Sequence, residues 1–143
     1  MHCYYYHGTR ATITKRHLIP HKSRVVDMEP VVFAARLPWM AVLFAAPWND
    51  DSLEFGEKNN QYYLRERAPG AFKLLETNGI VYTVSAEQFS SDPRLGMCGD
   101  EFIARQPVRI LAEEQVECIY TRLCATPVLK MLRFEDDEIK QPI

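Results

Sequence analysis

Residues 37–46 read Leu-Pro-Trp-Met-Ala-Val-Leu-Phe-Ala-Ala, and a second proline, Pro47, follows at once. Pro38 suits the first turn of a helix, where its missing N–H removes no bond, and Pro47 stops the helix. Trp39, Val42, Leu43 and Ala46 recur at three- and four-residue steps, so the spacing predicts an apolar helix face for packing on a sheet. Elsewhere the apolar runs are short and broken by turn residues. Residues 2–7, with three consecutive tyrosines, read as a strand ended by Gly8 and Thr9. Further strands are expected at 31–35, 61–67, 80–84, 101–105, 108–111 and 116–123, with a short extended piece at 24–27. Residues 12–18 and 71–76 read as short helical pieces, and 49–60 and 90–99 as surface loops. Strands do not alternate regularly with crossover helices, so the expected class is α+β with a mixed or mainly antiparallel sheet.

The chain of 143 residues suits one domain with one core, expected over 1–125, followed by an acidic tail at 126–143 that packs only in part. Seventeen Lys+Arg stand against nineteen Asp+Glu, a formal charge of −2, which excludes a general nucleic-acid coat but not a local basic site. The most apolar stretch, 31–48, is interrupted by Arg36, Pro38 and Pro47 and is too broken to cross a bilayer. The first residues carry no charged leader before an apolar run, and the four cysteines form no CxxC pair. A cytoplasmic protein with reduced thiols is the expectation.

Charge is unevenly spread. Residues 1–26 hold no acid but carry Arg10, Lys15, Arg16, Lys22 and Arg24, with His17 and His21 among them. An anion such as a pyrophosphate would be drawn to that side, although a solvated basic face balanced by the acidic tail accounts for it equally. His17 and His21 have the spacing of two metal ligands, but Pro20 lies between them and no further ligands accompany them; no metal is expected. Cys98 sits in a glycine-flanked loop and reads as an ordinary thiol in preference to a nucleophile paired with His7. Tyr6-His7-Gly8-Thr9 is the sharpest local feature. A histidine at a strand end, followed by a glycine whose backbone can approach a ligand, suits a planar amide and a nearby ribose hydroxyl. A strand closed by a Gly-Thr turn is the plainer alternative.

Tyr6-His7-Gly8-Thr9 resembles the first motif of the ADP-ribosyltransferase superfamily, especially the poly(ADP-ribose) polymerase branch and the RNA 2′-phosphotransferases. Val31-Val32-Phe33-Ala34, with the helix through Phe44, resembles that family's strand Ile-Tyr-Phe-Ala and the small-residue helix after it. Asp100-Glu101-Phe102-Ile103, followed by Pro107-Val108, resembles its late strand opened by an acidic residue. The likeness spans residues 6–108, about three quarters of the chain. It implies a core of two small packed sheets with a cleft between them, and NAD as substrate. It further implies that His7 binds the NAD ribose, that the Gly8 backbone clamps the nicotinamide carboxamide, and that Thr9 supports that ribose. Arg24 would contact a phosphate, and Phe33 or Phe44 would stack on nicotinamide, because Val32 stands where the family has tyrosine. Glu101 would stabilise the oxocarbenium-like centre as nicotinamide leaves, the acceptor being protein or nucleic acid. On this likeness His7 and Glu101 meet around one ribose. A catalytically silent nucleotide- or partner-binding module of the same fold, or an RNA 2′-phosphotransferase-like enzyme, are the alternatives.

Overall fold

The computed structural model describes residues 3–22, 27–47, 49–95 and 99–134. In chain order these form β1 (Tyr4–Thr9), β2 (His17–Leu18), β3 (Val32–Ala35), α1 (Pro38–Ala45), β4 (Leu53–Lys58), β5 (Gln61–Glu66), β6 (Gly79–Ser85), β7 (Glu101–Ala104), β8 (Val108–Arg109), β9 (Ala112–Val116), α2 (Ile119–Cys124) and β10 (Leu129–Leu132). Five strands make an antiparallel sheet in the order β7-β3-β1-β6-β9, so β1 lies at its centre. A second sheet runs β10-β5-β4, antiparallel between β4 and β5 and parallel between β5 and β10. A two-stranded ribbon, β2-β8, completes a mixed α+β fold that is mostly antiparallel with few helices.

The proline-bounded segment is helical as its spacing predicts, but it is buried on more than one side. Met40, Ala41, Val42, Leu43 and Ala45 are all buried. Trp39 meets Tyr62 and Phe55 edge-on at 5.0 and 5.9 Å, and Phe44 meets Phe55 at 5.9 Å, so the helix also grips the second sheet. On the five-stranded sheet it comes closest at Gly8. An ideal Cβ on that glycine would lie well inside contact distance of the Ala41 carbonyl oxygen. The backbone approach that Gly8 permits is therefore used by α1.

Strands 31–35, 61–67, 101–105 and 108–111 are present with trimmed ends, 80–84 is extended by one residue at each end, and β1 is shifted toward Thr9. Three expectations fail. Residues 12–18 form no helix: the Ile13 N–H donates to the Tyr82 hydroxyl at 2.8 Å, the Arg16 carbonyl accepts from Ile110, and His17 and Leu18 join β8. These distant partners satisfy the backbone groups that a helix would have paired locally. The supposed loop at 49–60 holds β4, which forms a hairpin with β5 through Asn59 and Asn60, both in the left-handed region at φ 54° and 63°. The strand expected at 116–123 is instead the end of β9 followed by α2, because Ile119 and Leu123, four residues apart, both enter the main core. Within the tail, β10 is a full member of the second sheet. The extended piece at 24–27 lies mostly outside the described residues, as does the acidic run at 135–138. No helix of the described residues is long and apolar enough to cross a membrane.

Candidate functional site

The three motif segments lie on β1, β3 and β7, three adjacent strands of one sheet. β3 pairs with β7 along its whole length, from Val32 opposite Ala104 to Ala35 opposite Glu101. β1 pairs with β6 from Tyr4 to Thr9. Between β1 and β3, however, the ladder holds one pair, Tyr6 opposite Ala35. Past that pair Gly8 would stand opposite Phe33, but the ladder holds no such pair.

The direction of the main-chain groups follows from two bonds. The Leu111 N–H donates to the Thr83 carbonyl, and the Ala86 N–H to that of Cys3. A residue's N–H and C=O leave a strand toward one neighbour, and the next residue's toward the other. Thr83 therefore faces β9 and Tyr82 faces β1, while Cys3, Tyr5, His7 and Thr9 face β6. Tyr6 and Gly8 turn their N–H and C=O toward β3. Tyr6 finds Ala35 there; the Gly8 donor and acceptor border the gap.

His7 crosses that gap with its side chain. Its Nδ1 lies 2.6 Å from the Phe33 carbonyl oxygen. A carbonyl only accepts, so Nδ1 carries the proton and donates. Loss of hydration lowers the His7 pKa below 6.5, the Phe33 bond raises it, and the His21 ring lowers it slightly from 6.5 Å away. The lowering wins, so the ring is neutral at pH 7. Nε2 then holds a lone pair and makes no hydrogen bond to a described residue. It can accept from a hydroxyl.

Glu101 opens β7 in the cross-strand row Tyr6–Ala35–Glu101. Residues directly opposite share a face. Tyr6 and Ala35 pack in the cluster built on α1, so Glu101 lies on the α1 side of the sheet, while His7 points to the other side with Tyr82 and Ala34. The two residues sit on opposite sides of the sheet because adjacent positions of a strand alternate, and the register puts an odd number of steps between them.

The remaining residues divide. Thr9 Oγ1 accepts the Ala11 N–H at 3.1 Å and so caps a turn. The Phe44 ring is engaged with Phe55, and Phe33 packs against Met28, Val31, Leu95 and Ile103; both stay half-buried. Val32, at the family's tyrosine position, is 1% exposed. Arg24 and Cys98 lie outside the described residues. Beside Glu101, Asp100 binds Arg36 through one oxygen (Nη2 at 2.7 Å, Nε at 3.1 Å) and accepts from the Tyr62 hydroxyl at 2.6 Å through the other. That group joins the two sheets and was not foreseen from sequence, since its members are 26 to 64 residues apart. Comparisons with protein-family models, curated proteins and solved structures find no match for this chain.

Proposed function

We propose that the protein transfers ADP-ribose from NAD to a protein or nucleic-acid acceptor, on a core like that of the ADP-ribosyltransferases. One observation carries this reading: the β1–β3 ladder stops at Tyr6–Ala35, so Gly8 has no ladder partner on β3, with His7 on one side of the sheet and Glu101 on the other. A primary carboxamide offers a donor and an acceptor in one plane, the complement of a strand edge. Nicotinamide inserted there takes the place of the missing ladder bonds. His7 Nε2 accepts a ribose hydroxyl from the far side. Glu101, on the α1 side, faces the ribose C1′ as its bond to the nicotinamide nitrogen breaks and the electron pair leaves with nicotinamide. A carboxylate stabilises that developing cation more than the ground state. The acceptor's nucleophile then bonds to C1′ and gives up its proton.

Incubation with NAD, following nicotinamide release and acceptor labelling, tests the reading. Release that falls by roughly two to three powers of ten in Glu101→Gln, with NAD affinity kept, is the expected result. His7→Ala should mainly weaken binding, by about 0.5–1.5 kcal/mol for one hydrogen bond to an uncharged group. Full turnover in Glu101→Gln would remove Glu101 from the mechanism. Burial of Val32 favours a second reading, a nucleotide-binding module without turnover, because no tyrosine covers the nicotinamide. NAD binding without nicotinamide release would establish it.

A further inference from the structure

On the His7 side of the sheet, the cross-strand row continues from His7 to Tyr82 and then to Glu113. Above Tyr82 and Glu113, residues 13–16 and Arg109–Ile110 border an open cavity of about 330 Å³. We propose that this cavity binds the phosphate monoester of a mononucleotide-sized molecule.

Three features argue for it. Lys15, Arg16 and Arg109 come from segments more than 90 residues apart in sequence, yet they meet at one opening, and none has an ion pair with a described residue. Glu113 on the same lining offsets one of these three charges, and the net positive charge left at the opening favours an anion there. Two arginines suit an oxyanion, since a guanidinium donates in a planar fork. Second, the floor is Tyr82, 1% exposed, whose hydroxyl accepts from Ile13 but donates to no described residue. A buried O–H without an acceptor favours an incoming one. Third, the space sits at the lower end of ligand pockets, roughly 300–1,000 Å³, which suits a single nucleotide and not a polymer. Glu113, exposed and bonded only to Gln115 among the described residues, stands ready to accept from a sugar hydroxyl or an amino group. The cavity is one strand over from the gap at Gly8, and its occupancy requires no turnover of NAD.

The test is calorimetry with AMP, adenosine and inorganic phosphate as probes. Wild type should bind AMP at least about tenfold more tightly than adenosine, and Arg16→Gln or Arg109→Gln should each weaken AMP by about tenfold or more. Arg122→Gln, at a residue paired with Glu114 away from the cavity, should leave AMP binding as it is. Glu113→Gln should weaken AMP while sparing inorganic phosphate. Equal affinity for AMP and adenosine, or full AMP affinity in both cavity arginine variants, would overturn the proposal. So would AMP binding that disappears in His7→Ala but survives in Arg109→Gln, because the nucleotide would then occupy the gap. Inorganic phosphate binding as tightly as AMP would overturn the nucleotide-sized ligand and reduce the cavity to a bare anion site.

Discussion

Gly8 answers to two neighbours at once. Its Cα side lies against the Ala41 carbonyl of α1, while its main-chain donor and acceptor border the gap toward β3. Gly8→Ala must push the helix away, and the Ala41 backbone cannot rotate aside as a flexible side chain could. The variant should lose about 1–3 kcal/mol, read as a lower urea midpoint at unchanged slope. His7 makes a second prediction, in pH. Burial lowers its folded-state pKa below 6.5, so between the two values the unfolded chain binds the proton more readily than the folded one. Stability from this group is therefore full above about pH 6.5 and falls as pH drops through the window below it. Urea midpoints measured from pH 7.5 to 5 should decline in wild type, and the decline should be shallower in His7→Gln. An equal slope in both would remove His7 as the cause. Motif and spacing singled out both residues, but neither could tell which faces they occupy, because face is a property of the register with β3 and β6.

At the scale of elements, the β4–β5 hairpin shows why a strand can be hidden. Its loop is two residues long, Asn59 and Asn60, both with positive φ, as the twist of a tight hairpin requires. The flanking acids and lysine read as loop, since β4 carries Glu54, Gly56, Glu57 and Lys58. Asn60→Gly should be neutral or slightly stabilising, whereas Asn60→Val should cost about 1–2 kcal/mol in thermal unfolding, the penalty of a left-handed conformation for a side chain with a branched Cβ. β10 was obscured for a different reason: its partner is β5, more than 60 residues earlier, and local composition says nothing of that. Glu66 ties this region down. The residue is 5% exposed, and its carboxylate accepts the Phe72 N–H at 2.7 Å and the Phe134 N–H at 2.9 Å. Glu66→Ala leaves both amides without their acceptor and should cost at least about 2 kcal/mol, with Glu66→Gln recovering part of it.

Across the whole molecule, Arg36, Asp100 and Tyr62 fasten the edge of the five-stranded sheet to the three-stranded one. Loss of hydration and the bond to Asp100 push the Tyr62 pKa up to about 12. Burial and the Glu54 bond raise Tyr63 too, but Tyr62 is pushed furthest, so an ultraviolet titration should show a latest phase that Tyr62→Phe removes while the fold persists. If the late phase remains, another tyrosine is responsible. Sequence alone determined the elements whose signals are local: α1 from its two prolines and apolar spacing, β1 from its tyrosines, β3 and β6 from their β-branched runs. It also singled out His7, Gly8 and Glu101 as residues of interest. Tertiary structure decided how they meet. Pairing across 29 to 72 residues placed β1, β3 and β7 side by side, ended the β1–β3 ladder at Tyr6, and set His7 and Glu101 on opposite faces, while the β2–β8 ribbon drew Arg109 to Lys15 and Arg16. Backbone hydrogen bonds form with whatever partner the fold supplies, and a register shift of one residue reverses every side chain, so local pattern carries the element and only the packed sheet carries the site.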